Sequence, residues 1–304
     1  MTFKLVQKLL GAASPIEIGE HDFNALAEAR SCAHHAWAVE EKYALVLGNY
    51  LELEREVHRL TIEFALFNDD PHNRLLDGLR DMNRVLMNLL SSQKTYLDQV
   101  PQHINQICGP DNVEFGRFRQ KTRDEFDTYP GYSVLAGLRN HAQHQDLPIQ
   151  YLSQRSFNDR SREPSVRVNS LSATCDRDEL LRSGKFSASV RKVLEGLDAQ
   201  FDVLPLAGQC MSSFARLHLF LREMLRDRID TADGLLRDTH ERFRVHAAEA
   251  KLFGLHAVRF GKDGAEAESF AVTTNVVDRR KRLEAQSSTN VNLEQLIVAS
   301  RHIE

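Results

Sequence analysis

The sequence predicts a mainly α protein: a helical bundle with long antiparallel helices and a small β-hairpin element in its C-terminal half. Three observations carry this. Apolar residues recur at three-, four- and seven-residue steps over stretches much longer than a strand. The breaks in that pattern fall at Asn68-Asp69-Asp70-Pro71, Gly109-Pro110, Tyr129-Pro130-Gly131 and Pro148, residue types that start or stop helices. Period-two alternation is confined to short segments after Tyr151, and the clearest pair flanks Gly261-Lys262-Asp263-Gly264.

Taken in order, residues 3–10 suit a short helix, and a long helix follows over 21–67. Its buried stripe is expected to hold Tyr43, Leu47, Tyr50, Val57, Leu60, Phe64 and Phe67. Asp70-Pro71 offers an N-cap acid and a proline at the first helical position, so a second helix begins there with Leu75, Leu79, Met82, Leu86, Leu89 and Leu97 inward. Pro101 and Gly109-Pro110 interrupt it. A third helix runs from Asp111 with Phe115, Phe118, Thr122 and Phe126 on one side, and a fourth occupies 132–146, stopped at Leu147 by Pro148.

Residues 151–184 turn to Ser, Arg, Asn and Asp, with Val166 and Val168 alternating as in a strand. Helices resume from Val190 to Phe201 and, after an interruption at Pro205 and Gly208, from Met211 to Gly254. Strands over 255–260 and 270–277 and terminal helices over 278–285 and 293–303 complete the chain. The organisation expected is a helical domain over 1–150, a linker or inserted ribbon over 151–184, and a helical region with the hairpin over 185–304, able to pack on the first bundle as one domain.

Composition narrows the function classes. With 304 residues, 42% hydrophobic and 27% charged, the chain can bury a sizeable core. No apolar run approaches the roughly 18 residues of a membrane span, and the first fifteen residues are too broken for a secretory signal, so a cytoplasmic location is expected. The four cysteines, Cys32, Cys108, Cys175 and Cys210, form no metal-ligand pair and no disulfide framework. A net charge of −4 confines any contact with nucleic acid to a local patch. There is no Gly-rich phosphate loop, no G-x-S-x-G elbow and no H-E-x-x-H helix.

The richest chemical stretch is Leu138-Arg139-Asn140-His141-Ala142-Gln143-His144, at the end of the fourth helix. At about 100° per residue, Val134, Leu135, Leu138 and Ala142 form its apolar face, whereas Arg139, Asn140, Gln143 and His144 project away from it. Ser133, Ala136 and Gly137 share the outward arc earlier in the helix, a small-residue surface suited to close approach by a partner helix. Such a face fits cleavage of an RNA phosphodiester, because the ribose 2′-hydroxyl is an internal nucleophile that needs a base, an acid and a cation. His144 would move protons, Arg139 would hold phosphate oxygens, and Asn140, one turn before His144, would fix the imidazole or the ribose.

Arg139-Asn140-His141-Ala142-Gln143-His144 also resembles the signature of the HEPN ribonuclease superfamily: an arginine and a histidine about four to six residues apart, with Asn, Asp or His directly after the arginine. The resemblance implies a helical bundle and a metal-independent endoribonuclease of the toxin or phage-defence kind, with no cofactor. It further implies a homodimer whose two motifs face each other, with Arg139, Asn140 and His144 as the catalytic set. An inhibitory or sensor partner protein is compatible with that class.

The plainer alternative is a non-catalytic helical interaction or scaffolding protein, in which the motif merely closes a helix. The same Arg-to-His spacing recurs at Arg30 and His35, and cations at a helix C-terminus complement its dipole. His141, His144 and Asp146 make a weak metal set, two imidazoles without a clear third ligand. The densest basic run, Arg279, Arg280, Lys281 and Arg282, is a secondary candidate for RNA phosphate contacts, as are Arg155, Arg160, Arg162 and Arg167.

Overall fold

The structure, a computed structural model, describes residues 1–67, 71–161, 165–248, 252–287 and 291–295. It is mainly α with small antiparallel sheets. The elements run β1 Thr2–Gln7, β2 Ile16–Ile18, α1 Glu20–Leu66, α2 Pro71–Cys108, α3 Val113–Thr128, α4 Pro130–His144, β3 Tyr151–Asp159, β4 Val166–Asp176, α5 Arg177–Ser183, α6 Ala188–Glu195, β5 Gln200–Asp202, α7 Val203–His246, β6 Leu255–Phe260, β7 Glu266–Ala271 and α8 Asn275–Gln286, with a 3₁₀ turn at Leu293–Gln295. No helix among the described residues is long and apolar enough to cross a membrane.

The chain forms two compact units, each drawing on separated stretches. The first comprises Met1–Glu41, Gln99–Gly116 and Phe220–Ser287. Its sheet has the order β2-β1-β6-β7, all antiparallel. Segment 3–10, expected as helix, lies as far as Gln7 in strand β1: Phe3, Leu5 and Gln7 alternate inward and pair with β6 residues some 250 positions away. So short an apolar segment has no period long enough to separate helix from strand, and the distant partner decides. Phe23 of α1 sits between Phe3 and Phe270, at ring centroid distances of 5.2 and 5.1 Å.

The later strand is β7, Glu266–Ala271, rather than 270–277, and α8 begins already at Asn275. Its acidic residues are compatible with an edge position, where Glu266 meets Lys8 at 2.7 Å and Glu268 meets Arg259 at 2.8 Å. Pro101 does not end α2. The proline removes one ladder hydrogen bond, but its neighbours Val100 and Ile104 are fully buried, and that burial holds the helix together across it.

The second unit comprises Lys42–Asp98, Arg117–Leu219 and Ser288–Glu304. Its core includes Leu53, Leu60, Leu86, Leu89, Tyr96, Phe118, Leu135, Leu138 and Phe214. Segment 151–184 is an antiparallel ribbon, β3 with β4, extended by β5 and closed by α5. Asp176 caps α5 by accepting from the Glu179 N–H at 2.9 Å.

Helix α7 starts two residues before Pro205, which therefore sits in the first turn, where a missing N–H costs nothing. Gly208 does not interrupt it either. A Cβ there would meet the Glu294 backbone at 3.3 Å, because residues 293–294 lie against this helix and donate to the Ser212 hydroxyl. The terminal helix expected over 293–303 is a single 3₁₀ turn as far as Gln295, and its remainder lies outside the described residues, as do Asn68 to Asp70 and Arg162.

Candidate functional site

Helix α4 is positioned at both ends by buried polar contacts. At its start Tyr129 is extended and Pro130 occupies the first turn. Gly131 allows close approach to α7: a Cβ would lie 2.4 Å from the Leu206 carbonyl oxygen, and its N–H donates to Gln209 Oε1 at 2.6 Å. Arg216 of α7 stacks over the Tyr129 ring at 3.8 Å and donates to Glu125 of α3 at 2.9 Å. Burial opposes ionisation of Glu125, yet Arg216 and Lys121 hold its carboxyl below the usual range. Beyond the helix, Asn83 of α2 pins the chain after Pro148, accepting from the Ile149 N–H at 3.1 Å and donating to its carbonyl at 2.9 Å.

Of the small residues of α4, Ala136 is half-exposed and borders a cavity, whereas the other two do not form a free surface. Ser133 and Gly137 are buried, and a Cβ on Gly137 would come 2.7 Å from Val190 Cγ1 of α6 and 3.1 Å from Phe186. The chain's own α6 and the residue preceding its cap thus take the place foreseen for a partner helix. His141 lies on the same covered side, stacked parallel to Phe186 with centroids 6.0 Å apart. Its Nδ1 is buried without a partner, and burial pushes its pKa below the ordinary value despite Asp146 and Glu179.

The helix opens only in its last turns. Arg139 is half-buried, whereas Asn140 and His144 are exposed. Arg139 Nη1 donates to Asn140 Oδ1 at 3.1 Å, and Arg139 Nε is buried with no partner. Asn140 and His144, four residues apart, share one side of the helix about 6 Å apart along its axis. Arg139 and Asn140 line a cavity of about 250 Å³ together with Gln93 and Lys94 of α2, Phe126 of α3 and Tyr132 of α4. His144 is not among the residues that line it.

Sequence reasoning missed Gln93, Lys94 and Tyr132. A signal existed for Gln93: it follows Leu86 and Leu90 and precedes Leu97 at helical spacing, a polar residue set into an apolar stripe. Asn83, beside Met82 and Leu86, carries the same mark.

The basic run on α8 is not a uniform charged face. Arg280 is buried, 2.5 Å from Asp233 and paired also with Glu284, which removes it from any phosphate-binding surface. The helix period turns the side of α8 that carries Val276 and Val277 inward, and Arg280 follows them into the interior. Arg279 lies over the Trp37 ring at 5.8 Å, and Lys281 and Arg282 are exposed. In the ribbon, Arg155 and Arg167 are exposed, and Arg167 donates to Ser156 at 2.7 Å.

The second Arg–His spacing has a different setting, since His35 Nδ1 is hydrogen-bonded to His103 Nδ1 at 3.0 Å and Arg30 lies over Phe270. Among the described residues no group of three His, Cys, Asp or Glu side chains is placed to hold a metal ion. The cysteines are free thiols, and burial pushes Cys32 up to about 11 and Cys175 up to about 12, which suppresses thiolate nucleophiles there. Comparison of the chain with family models, with curated proteins and with solved structures returns no match.

Proposed function

We propose that this protein is a metal-independent endoribonuclease of the HEPN kind, a toxin or phage-defence effector that acts as a homodimer. The observation that carries the reading is the pairing of Arg139 with Asn140 at a cavity, with His144 exposed one turn further along the same helix. The guanidinium keeps most of its donors free of carboxylates, as a phosphate ligand must. In the reaction, the ribose 2′-oxygen forms a bond to phosphorus as its proton passes to a base. The bond from phosphorus to the 5′-oxygen breaks, and that oxygen takes a proton from an acid. The products are a 2′,3′-cyclic phosphate and a 5′-hydroxyl.

His144 supplies the proton transfers, with the second chain's His144 available for the opposite step, and Arg139 stabilises the phosphorane charge. Asn140 orients the imidazole or the ribose. In this reading the dimer contact uses the exposed side around Asn140, Gln143 and His144, since Ser133 and Gly137 are covered within the chain.

Purified wild-type protein should cut RNA in EDTA and leave cyclic-phosphate ends. Arg139→Ala and His144→Ala should each lose about 100- to 10,000-fold in rate. Equal and intact RNA in all three, with normal folding, would exclude the enzyme and favour the interaction-protein alternative. That second reading draws on one observation: His144 stands exposed in the last turn of α4, where a side chain with an N–H donor can serve the helix's free carbonyls without any catalytic role.

A further inference from the structure

We propose that the cavity beside Arg139 and Asn140 receives one unstacked nucleobase of the RNA, next to the phosphate held by Arg139; this rests on the nuclease reading above. Its walls are aromatic and connected. Phe126 and Tyr132 meet edge to face with centroids 5.7 Å apart, and Tyr132 meets Phe214 in the same way at 5.5 Å. Leu90 and Leu135 complete the apolar lining.

Against this lining stand two polar groups that the fold serves poorly or not at all. Gln93 is only 5% exposed, and its amide nitrogen meets no oxygen or nitrogen acceptor, only the buried Cys210 thiol, a weak one. A buried amide donor served only by a sulfur is poorly satisfied, so its place on an aromatic cavity points to a stronger acceptor brought from outside. Arg139 Nε, buried and without a partner, is the second donor on the same cavity.

A nucleobase matches each feature. It is flat and aromatic, it carries ring-nitrogen or carbonyl acceptors on its edge, and it is tethered to the anion that a guanidinium binds. At about 250 Å³ the space lies just below the range of about 300–1,000 Å³ found for whole drug-sized ligands, which suits a single base. A base within a duplex cannot enter, so the substrate is a single-stranded or looped RNA whose base is splayed out of the stack.

The test is titration of the full chain with the four nucleoside 3′-monophosphates and with ribose 5-phosphate, which lacks a base. At least one nucleotide should bind about tenfold or more tightly than the sugar phosphate. Gln93→Leu, which keeps the side-chain volume, should weaken it about fivefold or more, and Ala136→Trp, which fills the cavity, should abolish it. Circular dichroism establishes that the variants fold, and should the tryptophan variant fail, Gln93→Leu decides.

Equal binding of nucleotides and ribose 5-phosphate, or no effect of Gln93→Leu, would overturn the proposal. RNA cleavage measured on the same preparations separates the two readings. Cleavage that depends on His144 without base-dependent binding sinks the pocket alone. Base-dependent binding without cleavage sinks the nuclease and leaves a nucleotide site.

Discussion

The end of α4 and the middle of α8 contain the same kinds of side chain in opposite conditions. On α8, four consecutive cations make the densest positive run in the chain, yet its Arg280 is buried and neutralised by Asp233 at 2.5 Å and by Glu284. On α4 a single arginine, Arg139, has an amide for a neighbour, a buried Nε without a partner, and a cavity beside it. A count of charges overstates what α8 can offer an anion, since Arg280 is engaged while Arg279, Lys281 and Arg282 stay exposed. What decides is whether the helix period carries the cation towards carboxylates on other elements or towards open space.

The comparison breaks most visibly at Arg280. Replacing it with methionine leaves the buried Asp233 carboxylate only the exposed Lys281 ammonium at 3.8 Å and should cost about 3 kcal/mol, read as a fall in the urea midpoint. A midpoint equal to the wild type would mean that α8 is an exposed basic face after all. An intermediate effect is expected at Gly131, whose substitution by alanine forces a Cβ against the Leu206 carbonyl at 2.4 Å. The loss there should be about 1–3 kcal/mol, because backbone rather than a flexible side chain must move.

His141 sharpens the contrast within α4 itself. Burial first of all lowers its pKa in the folded protein, so the unfolded chain binds the extra proton more readily. Stability is then complete above the unfolded value of about 6.5 and is lost as pH falls from there through the lower folded pKa. His34, His35 and His240 shift in the same direction, so the wild-type slope is shared. His141→Phe, able to stack on Phe186, should flatten the acid side of the stability curve; an unchanged slope would place the acid sensitivity elsewhere. The smallest effect belongs to His144→Ala and Arg282→Ala, both at exposed positions, where thermal unfolding should match the wild type within about 0.5 kcal/mol.

Much of the helical architecture could be read directly. The long apolar periods place α1 and α2, and Tyr129-Pro130-Gly131 with Pro148 bounds α4, because these signals act within a few residues of themselves. The reading failed where partners are distant. Residues 3–7 become a strand only because β6 lies beside them, and Pro101 stays helical only because Val100 and Ile104 find a core. At the site, the motif residues were visible as a string, but the cavity was not: Gln93, Phe126 and Tyr132 come from three helices, and nothing local announces that they meet.

The amino-acid sequence by itself thus determined the span of α1, the bounds of α4 and the position of Arg139, Asn140 and His144 in the last turns of α4. Those properties follow from local periodicity and from the backbone limits of proline and glycine. The tertiary structure alone decided that Gly137 and His141 are covered by Phe186 and Val190, that Arg280 is withdrawn into an ion pair, and that Gln93 joins Arg139 at one cavity. Burial and pairing are relations between residues far apart in the chain, so they exist only once the helices have packed.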